Sequence, residues 1–532
     1  MKRLPLGIQS LRKIIEGGYV YVDKTKYICD LLDNASCYFL SRPRRFGKSL
    51  LLDTINEVFN GDKELFKGLW IYDSGYSFDK HPVLRLDMSN IANKTPETLE
   101  HELSNELMDR ANAEGFCINE SAPPTVFKRL IDRLFNKYKQ SVVILIDEYD
   151  KPILDHLDDL EIAEANRKVL RSFYGILKSM DPFLRLTFVT GVSKFTKTSL
   201  FSEMNNLLDI SMSKKYASIC GVATEDLSKY FGEYIEKLST LDDFKHSGNL
   251  SDEILAWYDG YSWDGRNRVI NPFSLLSFFI QEKFYSYWYA SGSPKFLMDM
   301  IKENPELYLD LKDLRMSEWA LDSFDISNIA VQPLLFQTGY LTVREVFPDA
   351  PPYYLLDIPN HEVRYAFNLN MIAEFTGRDG ALAERAYRQI YRSLKSGDLK
   401  QILIILKSLF ASIPYQLHID REAYYHSIFY AVMNVIGFDM DSEVSTSKGR
   451  IDAVLELSDT VYIMEFKYRD CAPDASPETK KKLFDEALKD GLEQITAKGY
   501  RDKYGGSGKK IIAAAFAFLG KDNIEMAVSE EV

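Results

Sequence analysis

Basic residues do not outnumber acidic ones in this chain: 65 Lys and Arg face 78 Asp and Glu over 532 residues, a formal net charge of −13. That balance argues against a protein that coats nucleic acid by bulk electrostatics, while leaving room for a local basic groove. Cysteine is scarce and scattered. The five (Cys29, Cys37, Cys117, Cys220 and Cys471) form no CxxC pair, and no histidine stands at zinc-finger spacing. The sequence therefore offers neither a disulfide framework nor a structural zinc site, and a reducing compartment is expected. None of the seven histidines, His361 and His426 included, has metal-site or triad spacing. No run of about 18 uncharged apolar residues occurs, so no membrane span is expected. The start, Met1-Lys2-Arg3-Leu4-Pro5-Leu6-Gly7, lacks the apolar core of a signal peptide, and the expected location is cytoplasmic. Internal repeats and low-complexity tracts are absent as well.

What is present is an ordinary globular balance, 46% apolar and 27% charged, with 32 Tyr and 32 Phe to fill large cores. The length calls for two or three domains. Up to about residue 215, short apolar runs alternate with amphipathic stretches. Strands are expected at Cys37–Leu40, Val83–Asp87, Val142–Ile146 and Arg185–Thr190, with helices at Ser49–Phe59, Thr95–Asn112 and Ala163–Lys178. That alternation implies a parallel sheet covered on both faces. Residues 216–380 read as a mostly helical middle region rich in aromatics, among them Tyr258, Tyr261, Trp263, Phe273, Phe278, Phe279, Tyr287 and Trp288. A stripe of this kind is expected to be packing rather than a ligand cage. A strand-like Gly339–Val343 and a Pro-bearing loop interrupt it; residues 381–532 open on a helical stretch and return to mixed α/β.

Ser41-Arg42-Pro43-Arg44-Arg45-Phe46-Gly47-Lys48-Ser49 stands between an expected strand and an expected helix, the setting a phosphate-binding loop requires. Gly47 permits close backbone approach, Lys48 suits the β/γ oxygens of ATP, and Ser49 offers a hydroxyl to Mg²⁺. Arg44, Arg45 and Phe46 complete the candidate nucleotide-binding residues. The first Gly of GxxxxGK[ST] is missing; Arg42 stands there. About a hundred residues on, Val142–Ile146 ends in Asp147-Glu148, which fits a Walker B strand. Asp147 is the candidate for holding Mg²⁺ through water and Glu148 for polarising the attacking water. Thr190 and Ser193 are candidate γ-phosphate sensors, and Lys194 or Lys197 candidate counter-charges; all four also read as ordinary turn polar groups.

Tyr21-Val22-Asp23-Lys24-Thr25, Arg42 to Ser49 and Leu145-Ile146-Asp147-Glu148-Tyr149-Asp150-Lys151-Pro152 resemble the bacterial AAA-ATPase-like family, as do Asn205-Asn206-Leu207 and Trp257-Tyr258-Asp259-Gly260-Tyr261. The resemblance spans roughly residues 3–290. It implies that Arg in place of the first Gly is compatible with nucleotide binding, and that Tyr21 to Thr25 lie near the nucleotide.

Near the other end, Gly449–Glu456 reads as a turn feeding a strand that carries Asp452, and Val461–Lys467 as a second strand. Glu465 and Lys467, two apart, share one face. A hairpin setting Asp452 beside Glu465 makes a two-carboxylate nest for Mg²⁺ or Mn²⁺, with Lys467 able to orient water and offset charge on a phosphate. Glu422, at a helix start upstream, is a candidate third carboxylate; Glu443 reads as a surface residue. A solvated strand face is the bland alternative. Asp452, Glu465 and Lys467 resemble the PD-(D/E)XK nuclease superfamily over about residues 415–520, with Glu422, Gln494 and Tyr500 matching more loosely and Ile451 where the eponymous Pro belongs. Leu334 to Thr342 and Ile358 to Val363 also look like the two-domain family, and a structural, coupling role is expected of them.

The expected molecule is α/β: a P-loop NTPase domain, a helical middle and a small PD-(D/E)XK nuclease-like domain. Its expected activity is ATP-dependent, metal-dependent cleavage of DNA or RNA. The alternative is a sensor ATPase whose nuclease-like domain binds nucleic acid or a partner without cutting. The sequence is compatible with a homo-oligomer.

Overall fold

A run of β-branched and aliphatic residues without charge, such as Val142–Ile146, cannot be left facing water on either side. In the computed structural model it lies at the heart of a parallel sheet, fully buried along its length. The structure describes residues 1–194, 200–201, 206–245, 249–288, 300–301, 311, 314–322, 330–376, 380–410, 440–446, 449–456, 459–472, 475–497, 508–519 and 523–529. They fall into two compact units, Met1–Ser291 with Asp313–Glu362, and Gly292–Lys312 with Val363–Val532.

The first unit is built on five parallel strands: β1 (Cys37–Ser41), β2 (Val83–Asp87), β3 (Val142–Asp147), β4 (Leu184–Gly191) and β5 (Leu208–Asp209). Their order is β2-β3-β4-β1-β5, so β4 sits between the strand that feeds the phosphate loop and the strand that ends in Asp147. Parallel strands need crossovers, and helices Lys48–Asn60, Pro96–Ala113, Pro123–Tyr138 and Leu160–Ser179 supply them. Their ends follow local chemistry. Thr95 caps one helix through Thr98 N with Pro96 in its first turn, and Gly61, at φ +76°, closes another with its N–H on Val58 O. This is a P-loop NTPase sheet flanked by helices.

The middle region is mostly helical, with helices Asp226–Ser239, Leu250–Tyr258, Pro272–Gln281 and Val331–Thr338. The aromatic stripe is packing, as expected: Tyr258, Phe278 and Phe279 join Phe231 and Phe244 in one buried cluster. Besides the two-stranded β6 (Val222–Ala223) and β7 (Val269–Ile270), an antiparallel sheet forms from β8 (Leu314–Ser317), β9 (Thr342–Phe347) and β10 (Tyr353–Asp357) in the order β8-β10-β9.

The second unit holds a mixed sheet ordered β11 (Met440–Thr446), β12 (Gly449–Glu456), β13 (Thr460–Arg469), β14 (Lys510–Leu519) and β15 (Asn523–Ser529). Only β13 and β14 pair in parallel, and helix Pro477–Ala497 lies between them in sequence. Among the described residues, no helix is long and apolar enough to cross a membrane.

Glu362 closes the first unit. Its Oε1 accepts from Ser274 Oγ (2.9 Å) and Trp288 N (2.8 Å), while its buried Oε2 has no hydrogen-bond partner. Burial raises the carboxyl from 4.5 to about 7. A folded-state pKa above the unfolded one means that this stabilisation is fully present below about 4.5 and is lost as pH rises through about 7. Glu362→Gln keeps the acceptor and removes the titration. The melting temperature of the variant is expected to gain on the wild type as pH goes from about 5 to about 8; parallel melting curves across that range contradict this.

Candidate functional site

The loop between β1 and helix Lys48–Asn60 begins with a residue that has no need of a left-handed backbone. Arg42 is not among the positive-φ residues, whereas Arg45 (φ +68°) and Gly47 (φ +92°) are. Arg42 is fully buried. Its guanidinium donates to Ser41 O and Ser211 O (both 2.8 Å) and to Tyr216 O (3.3 Å), and lies 3.7 Å over the Trp263 ring. Burial lowers its pKa to about 10. The Arg that replaces the usual Gly thus fastens the loop from behind, onto segments about 170 residues away that no motif links to it. Phe46 is another anchor, its ring fully buried edge-on to Tyr261 (4.8 Å) and Trp263 (5.6 Å). Arg45 stacks on Phe273 at 3.7 Å, and Arg44 O accepts from Trp288 Nε1 at 3.3 Å.

Gly47, Lys48 and Ser49, at the start of their helix, face a cavity of about 460 Å³, a volume suited to a nucleotide. Arg44, Arg45 and Glu148 line it too, as do Tyr21, Val22 and Lys24. The rest of that N-terminal motif holds it in shape: Asp23 accepts from Thr25 N (2.9 Å), Thr25 Oγ1 (2.7 Å) and Trp70 N (2.7 Å). Pro5 to Gln9 and Ile219 to Val222 add walls that no motif announced.

Lys48 is almost fully buried. Its Nζ donates to Arg42 O (2.9 Å) and Pro43 O (3.0 Å), and burial lowers its pKa against the pull of Asp147 and Glu148. Asp147, at the carboxyl end of β3, is buried and accepts 2.6 Å from Thr190 Oγ1 on β4. Glu148 follows at φ +49°, an uncommon conformation for a non-glycine residue. Burial raises its carboxyl, with Lys48 opposing.

The sensor candidates separate. Thr190 is bonded directly to Asp147. Ser193 is taken by Asp150, whose fully buried carboxylate accepts from Ser193 N and Oγ (both 2.6 Å) and from Val192 N (3.1 Å). Lys194 pairs with Asp209 at 3.4 Å, and its N–H donates to Gln337 Oε1 at 2.9 Å, within the connecting stretch Leu334 to Thr342. Lys197 lies outside the described residues.

In the second unit, Ala453 pairs with Met464 across the antiparallel β12 and β13, so that Asp452, the residue before Ala453, stands beside Glu465 in the middle of its strand. Asp452 Oδ2 accepts from Phe466 N at 2.9 Å. Glu465 is fully buried; Lys467 Nζ donates to its Oε1 at 2.9 Å, and Gln494 Nε2 donates to the same oxygen. Lys467 Nζ also donates to Gln494 Oε1 at 2.9 Å. Glu465 Oε2 is buried with no hydrogen-bond partner. Burial, reinforced by Asp452, raises the Glu465 carboxyl. Gln494 reaches the strand because the helix comes very close: a Cβ on Gly491 would lie 2.8 Å from Ala515 Cβ. A buried carboxylate oxygen without a donor, beside a second carboxylate, fits a hard divalent cation. Glu422 and Tyr500 lie outside the described residues; Glu443 is on β11, where only its backbone is described.

Among known proteins, residues 5–201 match the family model described as predicted AAA-ATPase, and residues 420–527 match that of the PD-(D/E)XK nuclease superfamily. The chain is 36% identical over 517 residues to a protein of Azotobacter chroococcum mcd 1 described as "Uncharacterized protein in vnfD 5'region", covering 96% of this chain and 95% of that one. The solved structure of the Aeropyrum pernix ORC2 protein in ADPNP–ADP complexes aligns at 12% identity and a TM-score of 0.27, over 68% of this chain and 98% of that chain.

Arg42→Gly, which restores the usual loop glycine, is expected to destabilise the first unit by about 2–4 kcal/mol, through three lost charged hydrogen bonds and a cavity under Trp263. Thermal or denaturant unfolding checks this. A variant as stable as the wild type contradicts the anchoring role.

Proposed function

We propose, from the premise that the chain belongs to the AAA-ATPase-like family and ends in a PD-(D/E)XK nuclease superfamily domain, that it binds and hydrolyses ATP and uses this to control a metal-dependent nuclease. The observation that carries the reading is the buried pair Asp147 and Thr190 set at one sheet edge with Lys48 and Glu148. Lys48 and the N–H groups at the start of its helix bind the phosphates, with Arg44 and Arg45 at the mouth of the loop. Ser49 and Asp147 are the residues to hold Mg²⁺. Glu148 orients the attacking water and takes its proton; burial raises its carboxyl, which makes it a stronger base than an exposed carboxylate. Thr190 fixes the Asp147 carboxylate and, through it, registers what lies at the end of the phosphate chain.

At the second site, Asp452 and Glu465 are the metal-holding carboxylates, with Glu422 a candidate to join them. A divalent cation there supplies Lewis-acid polarisation of the scissile phosphate. Lys467, held by Gln494 and Glu465, orients the attacking water and offsets charge gathering on phosphorus. The substrate is DNA or RNA, and assembly into a homo-oligomer is part of the proposal. A second reading, a cytoplasmic sensor ATPase whose C-terminal domain binds without cutting, is favoured by the net charge of −13.

Two variants test the reading. Glu148→Gln is expected to keep ATP binding and slow turnover by about a hundredfold or more, and unchanged turnover removes Glu148 from the chemistry. Asp452→Ala is expected to abolish Mg²⁺- or Mn²⁺-dependent cleavage while leaving the melting temperature near that of the wild type. Cleavage that survives the substitution excludes the site; no cleavage by the wild type on any single- or double-stranded substrate, with ATP still hydrolysed, favours the sensor.

A further inference from the structure

The cavity that holds Lys48 contains a second lysine that the ATPase reading above does not use. Lys24 lies on the loop leading into helix Thr25–Asn34, and its side chain is 11% exposed. Its ammonium pairs with the carboxylate of Asp226, at the start of helix Asp226–Ser239, at a loose 3.5 Å, and the neighbouring Glu225 adds a weaker attraction. An ammonium has three N–H groups to satisfy, and burial of this one lowers its pKa despite Asp226. Such a group gains more from a further anionic oxygen than an exposed lysine does.

Its place in the cavity says which anion. The wall segment Ile219 to Val222 is tied to the phosphate loop by Gly221 N donating to Phe46 O at 3.0 Å. Cys220, in that segment, is close enough to Lys24, Lys48 and Arg42 for all three to oppose the upward shift that burial imposes on its thiol. Lys24 and Lys48 line one cavity together with this stretch of wall. Lys24 is also held from behind: Asp23 is fixed by Thr25 and Trp70, and its N–H donates to Tyr230 OH on the same helix as Asp226.

We propose that Lys24 is a second phosphate-binding lysine of the nucleotide site, which gives up Asp226 for a phosphate oxygen when nucleotide enters. This rests on the reading of the cavity as a nucleotide site. Asp226 is then a competitor for the Lys24 ammonium rather than a support for it. Breaking the pair from either side therefore has opposite consequences for affinity, which a purely structural ion pair does not produce.

The test measures binding of ATP, ADP and adenosine to the full chain by calorimetry, with melting temperatures alongside. The proteins are the wild type, Lys24→Gln, Asp226→Asn, the double variant and Lys48→Ala. The expected result is that Lys24→Gln weakens ATP and ADP by about ten- to a hundredfold, the scale of a charged hydrogen bond, and leaves adenosine unchanged. Asp226→Asn binds ATP as tightly as the wild type or tighter, and the gain disappears in the double variant. Wild-type affinity for ATP in Lys24→Gln overturns the proposal, and so does an equal weakening by both single variants with matched losses of stability. Lys48→Ala separates this from the parent reading: if the wild type binds no ATP, or Lys48→Ala binds it undiminished, the nucleotide site itself fails and Lys24 with it.

Discussion

Lys48 carries its charge into a place that water hardly reaches, and a desolvated ammonium is costly unless opposite charge and acceptors surround it. Much of the first unit follows from meeting that condition. The loop turns its Arg42 and Pro43 carbonyls toward Nζ, and Asp147, Glu148 and Asp150 bring negative charge to the same edge of the sheet. Three acidic residues in four positions would repel one another if left unsupported, and each is handled differently. Asp147 is tied to Thr190, Asp150 to Ser193 and Val192, and Glu148 faces the cavity with a raised carboxyl. The strand order matters here, because with β4 beside β3, Thr190 reaches Asp147 at the end of β3 and Ser193 reaches Asp150 just beyond it. In parallel sheets it is at this carboxyl edge that ligands are received.

The second site solves a smaller version of the same problem. Glu465 is the one charged residue in the buried stretch Val461–Phe466 of its strand, and one of its oxygens is satisfied by Lys467 and Gln494. The other is left without a donor, next to Asp452, which is the arrangement expected of a carboxylate whose partner is a cation rather than a protein group. Small residues make this possible: Gly491 against Ala515 lets helix Pro477–Ala497 approach until Gln494 spans both charged side chains.

The sequence made much of this legible where chemistry and periodicity coincide. The buried run Val142–Ile146, the Gly47-Lys48-Ser49 turn and the two-residue spacing of Glu465 and Lys467 each declare both an element and a reason for polar groups at its end. What it could not declare were contacts between distant segments. Arg42 read as a missing glycine; that its guanidinium holds Ser211 and Tyr216 depends on a pairing of strands 170 residues apart. Likewise nothing in the sequence separates Ser193 as a γ-phosphate sensor, or Lys194 as a counter-charge, from ordinary turn polar groups; Asp150 and Asp209 engage them in the fold. Phe46, a loop residue by position, is a core residue by contact.

In the proposed function, one chain joins a nucleotide site at Lys48 and Asp147 to a metal-dependent nuclease at Asp452 and Glu465, with the first controlling the second. The most direct measurement is cleavage of DNA and RNA in Mg²⁺ or Mn²⁺, with and without ATP, by the wild type, Lys48→Ala and Glu465→Ala. The expected result is no cleavage by Glu465→Ala, and cleavage by the wild type that changes with ATP while that of Lys48→Ala does not. Cleavage that persists in Glu465→Ala, or that responds to ATP equally in Lys48→Ala, contradicts it.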